Sequence, residues 1–167
     1  MEILRANLID IKEISEIYGH ARIKMLETGN PNQWGNSYPS EDIIVKDINA
    51  NSLFICVDNK RIVGCFVFSE GDDPTYSEIY GGKWLNHKPY AVIHRLAILN
   101  HGKGIGSICV NWCLGQQDNI RVDTHESNTS MQALLKKIGF KYCGIIKNAW
   151  GDPRVAFQSM AATELKT

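Results

Sequence analysis

The apolar run Tyr90–Leu99 leads directly into Asn100-His101-Gly102-Lys103-Gly104-Ile105-Gly106-Ser107, and this joint constrains the fold more than any other stretch. It reads as a strand, a glycine-rich turn and the start of a helix. Glycines at 102, 104 and 106 let the backbone approach a ligand without Cβ collisions. The first amides of a helix have no partner within it and point outward, so such a turn suits phosphate. The segment therefore points to a phosphorylated cofactor. A Walker loop needs G-x-x-x-x-G-K-[ST], a spacing absent here. A Rossmann fingerprint needs a third glycine where Cys109 stands, and no repeated βαβ units follow. The plain alternative is a turn that only reverses the chain.

The rest of the chain supplies a scaffold for this joint. Ile3–Asn7 reads as a first strand. Asp10 reads as the cap of a helix carrying Ile11, Ile14, Ile17, Tyr18, Ala21 and Met25, which Gly29-Asn30-Pro31-Asn32 stops. A loop over 31–39 carries Trp34 and Tyr38, and Ser40-Glu41-Asp42 opens a second helix. Leu53–Asp58 and Arg61–Ser69 form a hairpin around Asn59-Lys60. Residues 70–89 are a long connection with Tyr76, Tyr80 and Trp84, followed by a central strand over Ala91–Leu99. The helix over 104–117 places Ile105, Ile108, Cys109, Trp112 and Cys113 on one stripe. Ile120–Thr124 is a strand. Thr129 and Gln132 suit a capping box for a helix bearing Met131, Leu134, Leu135 and Ile138, which ends at Gly139-Phe140. Lys141–Lys147 and Val155–Met160 close the chain as strands. This order predicts an α+β fold with a mixed sheet flanked by helices.

Composition narrows the partners. With 167 residues the chain has the length of one domain over 1–167, 44% apolar and 22% charged. Its 18 basic residues balance 18 acidic ones, and no basic run marks a nucleic-acid footprint. No apolar run reaches the roughly 18 residues of a membrane span. The start, Met1-Glu2-Ile3-Leu4-Arg5, lacks the order of a signal peptide. The five cysteines, Cys56, Cys65, Cys109, Cys113 and Cys143, all lie in apolar patterns without a CxxC pair. Reduced, buried thiols in a cytoplasmic protein are the expectation, with no metal at Cys109 and Cys113.

The segment Leu96-Ala97-Ile98, followed by His101–Ser107, resembles the acetyl-CoA motif [QR]-x-x-G-x-[GA] of the GNAT-superfamily N-acetyltransferases, with His101 at the first position. A second block, Asn128-x-x-Met131-x-x-Leu134-Leu135-x-x-x-Gly139-Phe140, resembles the family's later helix. Arg5-Ala6-x-x-x-Asp10 is similar to its first strand and helix. The chain looks closest to small bacterial members through Gln33-Trp34, Tyr38-Pro39, His94–Ala97 and Asp123-Thr124-His125. The resemblance implies a mostly antiparallel central sheet and transfer of an acetyl group from acetyl-CoA to a primary amine. The acceptor would be a small molecule or a peptide amine, and the protein a monomer or homodimer. It assigns the pyrophosphate to His101, Gly102, Lys103, Gly104, Ile105, Gly106 and Ser107, the pantetheine arm to Leu96, Ala97 and Ile98, and a further cofactor contact to Asn128, which can equally cap a helix. A backbone N–H of the strand would polarise the thioester carbonyl.

The same resemblance leaves two chemical roles vacant. The family's acid tyrosine falls at Leu135 and the glutamate base of some members at Val92. Tyr142 or water would have to protonate the sulfur. His94 shares a face with Val92 and Leu96 by strand alternation, and His125 follows a strand, so both are candidate bases. Asp123 could orient a histidine, but reads first as a partner for Arg95 on the neighbouring strand. Trp34, Tyr38 and Trp84 are candidate walls of the acceptor site, and Asp72 and Asp73 could attract a cationic acceptor or simply form a turn. A catalytically silent acyl-CoA-binding or regulatory domain and a nucleotide-binding module are the competing expectations.

Overall fold

The structure, a computed structural model, describes residues 1–159. Its elements are β1 (Glu2–Arg5), α1 (Ile11–Glu27), α2 (Glu41–Asn49), β2 (Leu53–Asp58), β3 (Arg61–Glu70), β4 (Ala91–Ile98), α3 (Ile105–Gln116), β5 (Ile120–Thr124), α4 (Thr129–Ile138), β6 (Lys141–Lys147) and β7 (Pro153–Gln158). The seven strands run in the order β1-β2-β3-β4-β5-β7-β6. β1–β2, β2–β3, β5–β7 and β6–β7 are antiparallel, and β4–β5 is parallel. This is a mostly antiparallel α+β fold. The residues gather into two compact units, 1–68 with 94–112, and 69–93 with Cys113 onward. Strand β4 and helix α3 each run through both.

In the first unit, period-two alternation divides the hairpin between two faces. Leu53, Ile55, Cys65 and Val67 join Ala97 and the buried faces of α1 and α2, namely Ile14, Ile17, Tyr18, Ala21, Ile44 and Ile48. Phe54, Phe66 and Phe68 instead surround Trp112 of α3, with ring centroids 4.8 to 5.9 Å away. The hairpin turn is made by Asn59 and Lys60, both in the left-handed region (φ 49 and 66), as a two-residue turn of primed type requires. Three local expectations are corrected. Asp10 stands at the N-cap position of α1 but its side chain makes no cap bond there: a 3-10 turn over Leu8–Asp10 precedes the helix, and Asp10 Oδ2 accepts from the Asn7 amide at 2.8 Å. The first strand ends at Arg5, one hydrogen bond short of Ala6, whose amide reaches the Leu53 carbonyl. Ile108 is 37% exposed, because the buried arc of α3 is centred on Cys109 and Cys113 and takes in Val110.

In the second unit the apolar core is Tyr76, Trp84, Tyr90, Val92, Cys143, Ile146 and Ala156. The long connection is thus packed through its aromatics. Tyr80 and Ile145 exchange two backbone hydrogen bonds of 2.8 Å each. Arg121, on β5, lies between the rings of Trp84 and Tyr90, 4.3 and 4.1 Å from their centroids. The cap of α4 is Asn128, not Thr129: its side chain accepts from the Met131 amide at 3.1 Å, while Gln132 reaches back to the Glu126 carbonyl at 2.8 Å. Gly139 (φ 114) ends α4, and Phe140 N–H returns to the Leu135 carbonyl. The last strand is Pro153–Gln158, two residues earlier than expected; Met160 lies outside the described residues. All five cysteines are buried, and none of them forms a disulfide. No described helix is long and apolar enough to cross a membrane.

Candidate functional site

The glycine turn follows the end of β4, where the Leu99 amide still donates to the Val63 carbonyl at 2.8 Å. Gly102 (φ 84) and Gly104 (φ 73) are both left-handed, and no atom lies within 4 Å of the position a Cβ would take at either. The ladder of α3 opens with Ile108 N–H on the Gly104 carbonyl at 3.0 Å. The amides of Ile105, Gly106 and Ser107 therefore lie ahead of it. Burial holds the His101 imidazole below its ordinary pKa, and Lys24 and His20 of α1 push it the same way. Helix α1 thus adds positive charge to a turn already carrying exposed Lys103. Amides ahead of the helix ladder, beside two open left-handed glycines and the cations Lys24 and Lys103, fit a pyrophosphate. Sequence reasoning missed His20 and Lys24; their spacing of one helical turn beside the apolar stripe was the available signal.

Strand β4 approaches the turn with an irregularity. Arg95 has φ 51, a left-handed conformation rare for any residue but glycine. Its guanidinium makes a paired contact with Asp47 of α2, Nε to Oδ2 at 3.0 Å and Nη2 to Oδ1 at 2.9 Å. Its Nη1 donates to the Tyr38 hydroxyl at 3.0 Å. Its carbonyl accepts from the Tyr18 hydroxyl at 3.2 Å. Burial raises the Asp47 carboxyl above its ordinary pKa, against the opposing pull of Arg95. Burial likewise lifts the Tyr18 phenol well above its usual value and pushes the neighbouring Cys65 thiol up to about 12. Tyr18, Asp47 and Cys65 were not singled out from sequence, yet Asp47 shares the apolar face of α2 with Ile44 and Ile48, a buried charge that demands a partner.

The other predicted residues of this unit lie around Arg95. Ala97 is buried, and His94, Leu96 and Ile98 are half-buried. The strict alternation expected from His94 to Leu96 is interrupted by the left-handed residue between them. Asp47 lies within electrostatic reach of His94. Trp34 is buried, edge-on to Tyr18 and Tyr38 at centroid distances of 5.6 and 6.2 Å.

In the second unit, Asp123 accepts from the Tyr76 hydroxyl at 2.5 Å. Within the first unit, Arg95 gives its guanidinium to Asp47 and Tyr38. His125 Nδ1 accepts from the Ser127 amide at 3.0 Å, which leaves the proton of a neutral ring on Nε2. Burial and the charge of Arg154 hold its pKa below the ordinary value. Trp84 is buried, its indole donating to the Tyr76 carbonyl at 2.9 Å. Leu135 and Val92 are core residues, whereas Tyr142 is 53% exposed and edge-on to Phe157.

The mostly antiparallel α+β sheet thus carries an open glycine turn between a central strand and the helix that follows it. The family model described as the acetyltransferase (GNAT) family matches residues 12–140, and the chain belongs to that family. A GNAT-family acetyltransferase from Streptococcus agalactiae is 29% identical, with 96% of this chain and 95% of that one aligned at a TM-score of 0.89. A GNAT-family acetyltransferase from Bacillus cereus shares the fold at 20% identity and a TM-score of 0.61, covering 95% of each chain. So does yncA of Salmonella typhimurium, solved with its cofactor acetyl-CoA, at 14% identity and a TM-score of 0.65, covering 96% of this chain and 94% of that one. A search of curated proteins returned no match.

Proposed function

We propose that this protein moves an acetyl group from acetyl-CoA to a primary amine on a small molecule, by direct attack, as one domain spanning 1–167. The observation that carries the reading is the turn at 102–107, with its open left-handed glycines, the amides ahead of α3 and the positive charge of Lys24 and Lys103. Acetyl-CoA supplies an activated thioester. The chain's own residues hold its pyrophosphate at the turn and its arm along Leu96–Ile98. Buried thiols outside disulfides suit a cytoplasmic setting.

In the reaction the amine nitrogen bonds the carbonyl carbon, the carbon–sulfur bond breaks and the sulfur leaves as thiolate. A thiol of pKa about 8.5 departs without a strong acid, so Leu135 does not forbid the step. An alkylamine of pKa about 10 must first lose a proton. We assign that proton to His94, which stands on β4 two residues before the segment expected to carry the acetyl-CoA arm. His94→Ala should lower turnover about a hundredfold and leave acetyl-CoA binding intact; unchanged turnover across the pH range removes His94 from the step.

A silent acyl-CoA-binding domain is the second reading, favoured by the burial of Leu135 and Val92 where the family's acid and base stand. Thermal unfolding with acetyl-CoA, CoA, ATP and NAD, followed by an amine-library screen for released thiol, separates the two. Acetyl-CoA at 100 times its Kd should stabilise by about 2.7 kcal/mol. No shift with either CoA species sinks the donor assignment, and a shift without thiol release from any amine selects the silent domain.

A further inference from the structure

Arg95 is the only residue of β4 with a left-handed backbone, and it directly precedes Leu96–Ile98. A non-glycine residue in that conformation is disfavoured and persists only where its surroundings hold it. Here the holding groups are identifiable. Asp47 fixes two guanidinium nitrogens, Tyr38 a third, and the Tyr18 hydroxyl takes the Arg95 carbonyl. The side chain is thereby tied to α2 and to the loop after α1, and the main chain to α1. A surface arginine would not need such partners, and both members of the ion pair are largely buried, with 19% and 12% side-chain exposure. Without a functional reason, glycine at this position would give the same backbone at no cost in partners.

We infer that Asp47, Tyr38 and Tyr18 are positioning residues that hold Arg95 left-handed so that the strand segment Leu96–Ile98 presents its backbone to the acyl donor. The inference rests on the reading that this segment carries the acetyl-CoA arm. None of the three touches the reacting atoms in this scheme. They act through the geometry of residue 95, and a glycine there makes them dispensable.

The test compares two double variants in an otherwise intact protein, Asp47→Asn with Arg95→Gly and Asp47→Asn with Arg95→Ala. Both remove the ion pair and any effect of Asp47 on His94. They differ only in whether residue 95 accepts φ near 51 without help. Steady-state transfer from acetyl-CoA, with thiol release recorded for the best amine of the screen, gives kcat and KM for the donor, and apo melting is recorded on the same samples. Asp47→Asn alone should lose activity. The glycine double variant should recover to within a few-fold of wild type, and its kcat/KM for acetyl-CoA should exceed that of the alanine variant by about tenfold. Tyr18→Phe, which keeps the ring and removes only the hydroxyl on the Arg95 carbonyl, should lower kcat/KM several-fold with a small change in melting. Equal kcat/KM in the glycine and alanine variants overturns the inference, as does wild-type activity in Asp47→Asn. If the alanine variant does not fold, wild-type kinetics in Tyr18→Phe overturns it and the several-fold loss supports it. A wild-type protein that shows no melting shift with acetyl-CoA instead defeats the donor reading on which the inference stands.

Discussion

Gly104→Asp should reduce acetyl-CoA affinity by more than a hundredfold while leaving the protein folded. Gly104 has φ 73, and aspartate is among the few residues that tolerate the left-handed region, so the backbone cost is about 1 kcal/mol. The space around the residue is open, so the new side chain meets no wall. The loss of binding comes from charge. A carboxylate at residue 104 would cap the amides that precede the α3 ladder and oppose the pyrophosphate those amides are expected to hold. Two like charges within a few ångströms at a partly desolvated site repel by several kcal/mol at an effective dielectric near about 20. Gly104→Ala separates the contributions, because it carries the strain without the charge and should weaken binding far less. Calorimetric titration with acetyl-CoA, alongside apo melting, reads both. Affinity retained in Gly104→Asp would mean that the phosphate lies elsewhere.

The turn was legible in sequence because everything that defines it is local: an apolar run, three glycines at alternate positions and an apolar helix behind them. The hairpin at Asn59-Lys60 and the stop at Gly139 were legible for the same reason, since each is a short-range demand for a left-handed backbone. Cap positions slipped where two competent residues adjoin. Asn128 and Thr129 both offer an oxygen, and only the backbone conformation at 128 decides between them. Asn7 and Asp10 compete similarly, and the 3-10 turn gives Asp10 to the Asn7 amide.

What the sequence concealed is long-range. Arg95 and Asp47 are 48 residues apart, and Tyr18 lies 77 from the carbonyl it holds. A lone arginine in a strand reads as an exposed polar position, so attention goes to Asp123 on a plausible neighbouring strand and passes over Asp47. The sign that should have redirected it was Asp47 itself, flanked by Ile44 and Ile48 on a face that must be buried. The family resemblance does not help here, because it fixes positions along the chain and not the partners of a buried charge. The left-handed φ of Arg95 is a further step removed, since no local residue type announces it.

The largest effect on stability belongs to a glycine that no motif marks. Gly82→Ala should destabilise the protein by about 3 kcal/mol or more, lowering the melting temperature by roughly 10 °C for a chain of this size. A Cβ at residue 82 would stand 1.9 Å from the Cys143 carbonyl oxygen and 2.9 Å from its carbon. Both are backbone atoms, so no rotamer change relieves the clash. The opposing strand cannot retreat freely either. β6 is registered on β7 through Tyr142↔Phe157 and Gly144↔Ala156, and the chain just before Gly82 is held by the two hydrogen bonds between Tyr80 and Ile145. Relief therefore means breaking that bridge, which loosens the segment carrying Trp84 against Tyr76 and the Leu85 amide against Gln158. Gly81→Ala is the matched control. Gly81 has φ 67 with nothing within 4 Å of its Cβ position, so alanine there costs only the left-handed strain, about 1 kcal/mol. Melting curves of the two variants should differ by several degrees in that order. A Gly82→Ala protein that melts within a degree or two of wild type would show that the 80–82 segment does not pack against β6 as closely as these distances require.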